Sequence, residues 1–177
     1  MWSGDGGSVA DSTYRSSTTA SLPREDIVRC MEERARSFPA WDSLGFFMPL
    51  LVQRYGISNQ YKDHYDWFPG FPDIEGNHES TFFVYIQANC TGGGTNFPLL
   101  RAPEDEKWCD FIDCDQPYDA GVAFKPITGN AIFWRNLHPD GRGHKKTLHA
   151  GLPVTSGMKT GLNIFTWVDY NKPKSEL

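Results

Sequence analysis

The sequence predicts a mainly antiparallel β fold, a sandwich, jelly roll or barrel, supported by one N-terminal helix. Three observations carry this. Runs rich in β-branched and aromatic residues follow one another from Pro49 onward: PLLVQRYG, QYKDHYDWF, STFFVYIQAN, GVAFKP, NAIFWRN and GLNIFTWVDY. Turn-forming clusters separate them, at Gly92-Gly93-Gly94, Thr128-Gly129-Asn130 and Pro139-Asp140-Gly141. No second convincing helix interrupts them, so the strand–helix alternation that builds a parallel sheet is missing.

Residues 1–17 are rich in Gly, Ser, Thr and Asp and are expected to form a flexible polar arm, because they offer too little apolar surface to offset the entropy of ordering. Residues 18–177 are expected to form one domain. A chain of 177 residues with 39% hydrophobic and 14% aromatic residues can fill one real core. The best helix lies in SLPREDIVRCMEERARSFPAW. Ser21 is its candidate N-cap, Pro23 an early helical position, Glu25 and Asp26 place negative charge in the first turn, and Pro39 ends it. Ile27, Met31, Ala35 and Phe38 keep near-helical spacing and form the stripe expected to lie on a sheet. No internal repeat or second domain boundary is visible.

Charge and cysteines exclude several classes. The net charge is −5 and the basic residues are scattered apart from Arg142 to Lys146, so nothing favours a nucleic-acid partner. No apolar run approaches the ~18 residues of a membrane span, and the N-terminal stretch lacks the hydrophobic segment of a signal peptide. The chain as it stands reads as soluble and, by default, cytoplasmic. Its last residues, Lys174-Ser175-Glu176-Leu177, are similar to a degenerate endoplasmic-reticulum retention tail, which would matter only behind an entry signal. Four cysteines are too few for a disulfide framework; Cys109 and Cys114 either close a small loop in an oxidising compartment or simply pack.

Function is concentrated in two stretches. In QYKDHYDW, His64 and Asp66 stand two apart, so on a strand an imidazole and a carboxylate would project to the same side. Such a pair arises often by chance on a surface strand. A second histidine, His149, lies in TLHAGLPVTSGMK, where a Gly/Pro-bounded segment can return beside the first strand. Two histidines and one carboxylate on one face leave open positions on an octahedral metal, the arrangement of non-haem iron(II) oxygenases. Lys159 follows ten residues after His149 in an apolar context, and a buried ammonium there needs an anion. A dicarboxylate such as 2-oxoglutarate supplies one.

These stretches together give the order Y-x-x-H-x-D (Tyr61 to Asp66), G-G-x-T (Gly92 to Thr95), G-x-A (Gly121 to Ala123) and H-A-G-x-P-V (His149 to Val154), then Lys159. In this order and in the segments around it, over most of residues 50–170, the chain resembles the 2-oxoglutarate- and iron(II)-dependent dioxygenases of the prolyl 4-hydroxylase group. A weaker match extends back through the helix to Arg15-Ser16-Ser17. The resemblance implies a double-stranded β-helix, with His64, Asp66 and His149 binding iron and Lys159 holding the distal carboxylate of 2-oxoglutarate. Tyr55 matches a tyrosine that hydrogen-bonds the same co-substrate, Asn163 is a further contact, and Tyr61 would sit close to the iron. It further implies dioxygen as co-substrate, ascorbate as an accessory reductant, and hydroxylation of a C–H bond with release of succinate and carbon dioxide. The expected substrate is C4 of proline in a peptide or protein, with a free amino acid or small molecule, or an inactive jelly-roll binding module, as alternatives.

Other residues have plainer readings. His138 and His144 belong to a solvated loop rich in Pro, Gly and charge, or touch substrate at the pocket mouth. His78 falls where related sequences carry an arginine, and reads equally as a surface residue or an altered substrate contact. Gly92-Gly93-Gly94-Thr95 lacks the lysine and helix of a phosphate loop and reads as a turn between strands. Trp134 and Trp167 stand out among the aromatics as pocket candidates. Two departures from the family pattern stand out: Phe165-Thr166-Trp167 replaces Trp-x-His, which faces substrate in the family, and in length only a polar arm stands where relatives carry a further strand-and-helix layer.

Overall fold

The computed structural model describes residues 14–38, 45–117 and 120–171. The chain order is β1 (Thr18–Ser21), α1 (Asp26–Arg36), β2 (Phe46–Phe47), β3 (Leu51–Tyr55), β4 (Tyr61–His64), β5 (Gly76–Gly92), β6 (Thr95–Phe97), β7 (Val122–Phe124), β8 (Ala131–Arg135), β9 (His149–Gly151) and β10 (Val154–Asp169). The major sheet runs β1-β3-β10-β5-β8, with β2 added on β10, and the minor sheet runs β4-β9-β6-β7. All pairings are antiparallel. The jelly-roll expectation is therefore borne out.

The two longest strands form the spine. β5 and β10 pair from Val154↔Gly92 to Asp169↔Gly76, with bulges between Thr160 and Gly161 and between Thr166 and Trp167. Strand alternation sorts their side chains. Phe82, Leu162 and Ile164 join Leu50, Val28 and Ala35 in one buried cluster, which α1 covers. Phe83 and Tyr85 point the other way and meet Phe97 of the minor sheet and Trp134 in a second cluster. The order of layers is thus helix, major sheet, minor sheet. Each fully buried aliphatic or aromatic side chain in these clusters contributes about 1.5–3 kcal/mol.

The helix is shorter and turned relative to the sequence reading. Its N-cap is Glu25, which makes no side-chain cap bond, while Ser21 ends β1 and Pro23 precedes the helix. Ile27, assigned to the buried stripe, is 68% exposed, and Phe38 lies beyond the helix end and is also exposed. Val28, Glu32 and Ala35 face inward with Met31 packed beside them. The i, i+4, i+7 pattern from Val28 was masked because it contains a charge. Glu32 is buried there because the Arg24 guanidinium grips both of its carboxylate oxygens, at 2.8–3.1 Å.

Residues 14–17, counted with the polar arm by composition, lie along β4. Ser16 donates to the Gln60 carbonyl, Lys62 donates to the Tyr14 carbonyl, and Arg15 bridges to Tyr61 with its guanidinium 4.8 Å above the Tyr61 ring. Backbone pairing with an edge strand orders this piece despite its polarity. The rest of the arm through residue 13, the helix stop at Pro39 and the 174–177 tail fall outside the described residues. Among the described residues no helix is long and apolar enough to cross a membrane.

The orientation of α1 gives a direct check. Val28→Asp should lower unfolding stability by roughly 3 kcal/mol or more, because it places an unpaired carboxylate in the helix–sheet core, whereas Ile27→Asp should stay within about 0.5 kcal/mol. A larger shift in denaturant midpoint for Ile27→Asp than for Val28→Asp would put the buried stripe on the Ile27 side instead.

Candidate metal and dicarboxylate site

Pairing in the minor sheet brings the two histidines together. β4 and β9 place His64 directly opposite His149, and their rings lie 4.1 Å apart. Each ring is held by its own chain: the carbonyl of Lys62 takes the Nδ1 proton of His64 at 2.7 Å, and the carbonyl of Thr147 takes that of His149 at 2.9 Å. A carbonyl only accepts, so Nδ1 of each ring carries a proton and Nε2 of each is the nitrogen left for a ligand. Tyr61 stacks on His64 at 3.6 Å, while Phe97 and Trp134 pack against His149. Burial, reinforced by the neighbouring His149, pushes the His64 pKa down to about 4, so this ring is neutral and free to donate its lone pair near pH 7.

Asp66 completes the group by a different route from the one its spacing predicts. β4 ends at His64, and Asp66 sits in the bend that follows instead of two rungs along the same strand. Its Oδ1 still lies 3.7 Å from His64 Nε2 and 3.8 Å from His149 Nε2. One ligand atom from each of the three residues falls within 4.8 Å of the others. Two imidazole nitrogens with fixed tautomers and one carboxylate oxygen are a donor set suited to iron(II), with room for exogenous ligands.

The opposite side of the same cavity is built by the major sheet. The cavity is lined by His64, His149, Tyr61, Tyr55, Asn163 and Lys159 among others. Lys159 is 0% exposed. It stands directly opposite Tyr55 in the β3–β10 ladder, which puts its ammonium 4.5 Å from the centre of the Tyr55 ring. Its Nζ also donates to the Gly93 carbonyl. Among the described residues no carboxylate pairs with it. Burial lowers its pKa to about 8, opposed by the nearby Cys90, so the ammonium persists at neutral pH without a counter-charge. A dicarboxylate with one end among the three donors and the other on Lys159 would satisfy both ends of this cavity.

The remaining candidates divide cleanly. Asn163 lines the cavity four residues beyond Lys159, and the Tyr55 hydroxyl donates to Gln53 Oε1 at 2.6 Å. Gln53 went unnoticed in the sequence, although it shares the inward face of β3 with Tyr55 at a spacing of two and is itself buried. Trp134 lines the cavity, whereas Trp167 lies outside it, 5.4 Å from His78. His78 is half-buried and stacked on Phe165 at 4.7 Å, with Nδ1 donating to the Asp66 carbonyl at 2.8 Å, so it is neither a free surface residue nor part of the cavity lining. His138 and His144 stack on each other at 4.3 Å in a turn outside the lining, with His138 exposed. Gly92 and Gly93 form the β5–β6 turn at φ of +66° and +71°, where a side chain would be strained. Cys109 and Cys114, left open by the sequence, are joined in a disulfide with Cα atoms 5.5 Å apart.

A jelly roll with two histidines and a carboxylate beside a buried lysine defines a class, the non-haem iron oxygenases that use a keto-acid co-substrate. Comparison with known proteins makes the assignment specific. The sequence signature of the 2OG-Fe(II) oxygenase superfamily matches residues 50–168, and the chain belongs to this family. A probable prolyl 4-hydroxylase 4 of Arabidopsis thaliana is 30% identical over 166 residues, covering 87% of this chain and 52% of that protein. The prolyl 4-hydroxylase subunit alpha-2 of Gallus gallus is 34% identical over 114 residues, covering 62% of this chain and 18% of that protein. The crystal structure of a viral collagen prolyl hydroxylase from Paramecium bursaria Chlorella virus-1, in complex with 2-oxoglutarate, superposes with a TM-score of 0.68 at 25% identity, covering 88% of this chain and 80% of that one. The chain spans about half the length, or less, of the curated relatives it matches.

Two outcomes follow from the state of Lys159. The ammonium is charged below a pKa of about 8 and neutral above it, so 2-oxoglutarate affinity should fall as pH rises through that value, by up to about tenfold per unit. Calorimetric titrations between about pH 7 and 9.5 would read this, and a flat profile would mean that Lys159 contributes no charge to binding. Lys159→Met should weaken 2-oxoglutarate binding by roughly 2–5 kcal/mol while leaving the stability of the ligand-free protein within about 1 kcal/mol, because a buried unpaired charge stabilises little by itself.

Proposed function

We propose that this chain is an iron(II)- and 2-oxoglutarate-dependent dioxygenase that hydroxylates proline at C4 in a peptide or protein, with release of succinate and carbon dioxide. The single observation that carries the chemistry is the buried Lys159, without an acid partner among the described residues, in the same cavity as His64 and His149. The proline substrate is supported by relatives that are named prolyl 4-hydroxylases. Ascorbate as accessory reductant belongs to the same reading. The Cys109–Cys114 disulfide supports work in an oxidising compartment.

In this reading His64, Asp66 and His149 hold iron(II), which when bound couples dioxygen activation to oxidative decarboxylation of the keto acid. The protein's own part is orientation and exclusion of water. The two Nδ1–H···O=C bonds keep both Nε2 lone pairs on one side throughout turnover. Lys159, whose ammonium is held over the Tyr55 ring and on the Gly93 carbonyl, would fix the far carboxylate and so set the reach of the keto-acid end toward the three donors. The walls made by Phe83, Trp134 and Tyr61 keep the cavity low in dielectric, which strengthens the lysine–carboxylate pair.

Anaerobic addition of iron(II) and 2-oxoglutarate should give a weak visible charge-transfer band that disappears in His149→Ala. Proline-containing peptides should then stimulate succinate release and gain one oxygen atom by mass spectrometry, with free proline inert. A band without turnover on any peptide, but with turnover on free amino acids, would redirect the substrate assignment while leaving the chemistry in place.

A further inference from the structure

Asp66 reaches the donor cluster from a bend, not from a strand, so something outside the minor sheet must hold its carboxylate. The major sheet does. Thr81 of β5 is 0% exposed, and its hydroxyl donates to Asp66 Oδ2 at 2.8 Å, leaving Oδ1 toward the two histidines. Behind Thr81 stands Asn136, one residue beyond β8 and also 0% exposed, whose Nδ2 donates to Thr81 Oγ1 at 2.9 Å. The polarity of this chain has only one direction: the amide nitrogen can only donate, so the Thr81 oxygen accepts from it and its own hydrogen goes forward to the carboxylate.

A second observation points the same way. Among the described residues no protein group hydrogen-bonds the buried Asn136 Oδ1. A fully buried amide with an orphaned oxygen is unfavourable for the fold, so its presence at the head of the chain is explained by what its NH2 group does. A third group secures the backbone of the same residue, since His78 Nδ1 donates to the Asp66 carbonyl.

We infer that Thr81 and Asn136 are positioning residues: a buried amide–hydroxyl relay from the major sheet that ties Asp66 Oδ2 and presents Oδ1 as a single-oxygen metal ligand. This rests on the reading of His64, Asp66 and His149 as the ligands. Without the Thr81 hydroxyl, the Asp66 side chain is free to rotate, and metal affinity falls although every ligand remains.

Anaerobic titration of the purified protein with cobalt(II) alone, followed by its visible bands and by calorimetry, tests this without turnover. Thr81→Val, which keeps the shape and removes the hydroxyl, should bind cobalt(II) roughly 10–100-fold more weakly with an altered visible spectrum. Thr81→Ser should restore affinity to within about twofold, and Asn136→Leu combined with Thr81→Val should be no weaker than Thr81→Val alone, because the two act in series. Affinity within about twofold of wild type in Thr81→Val, or an equal loss in Thr81→Ser, would overturn the relay. Asp66→Ala separates the two levels: if it too binds like wild type, the ligand assignment fails along with the relay, whereas loss in Asp66→Ala with no loss in Thr81→Val removes the relay alone. Should Thr81→Val not fold, Asn136→Leu read against Thr81→Ser decides, with unchanged affinity and spectrum in Asn136→Leu counting against the relay.

Discussion

The long antiparallel pairing of β5 with β10 is the constraint on which the rest of this structure depends. Because side chains alternate across a strand, this one ladder assigns Phe82, Leu162 and Ile164 to the core under α1, and Thr81, Phe83, Tyr85, Lys159 and Asn163 to the side of the cavity. A slip of one residue would exchange the two sets, driving an ammonium into the helix–sheet core and leucine into the cavity. Gly161 helps to hold the register, since a Cβ there would come within 2.3 Å of the Phe83 ring. The bulge beside it, between Thr160 and Gly161, changes the count so that Lys159 faces Ala88 while Gly161 faces Tyr85.

On this frame the two sheets divide the chemistry. The minor sheet supplies two imidazoles through the His64↔His149 pair, and the major sheet supplies a cation at neutral pH through Lys159. The environments pull in the same direction on both kinds of base, since burial depresses His64 and Lys159 alike, yet the outcomes differ because the lysine starts so much higher. At neutral pH one end of the cavity therefore offers lone pairs and the other offers charge. Asp66 bridges the sheets, covalently part of the loop after β4 and hydrogen-bonded to β5 through its carboxylate and, by way of His78, through its carbonyl.

Much of this was legible in residue order, and particular residues show why some was not. The six runs and their turns were enough for an antiparallel sandwich, jelly roll or barrel, and the family resemblance narrowed this to the jelly roll. The buried face of α1 was misread because Glu32 looks solvated until Arg24, eight residues away, is seen to neutralise it. Residues 14–17 looked too polar to order, since pairing with β4 leaves no compositional trace. Thr81 and Asn136 are ordinary residues in the sequence, and nothing local marks them as partners of a carboxylate.

What the sequence determined by itself was the chemistry: two histidines, an aspartate and a lone lysine in an order and spacing that few unrelated chains share, carried on strand-forming segments whose alternation is set by covalent geometry. What only the tertiary structure decided was how those groups meet. Whether Asp66 lies on a strand or in a bend, which face of α1 is buried, whether Lys159 finds an acid, and what steadies the aspartate all depend on contacts between residues far apart in the chain. Those contacts are set by packing of one sheet on the other, and packing is a property of the whole core and not of any single stretch of sequence.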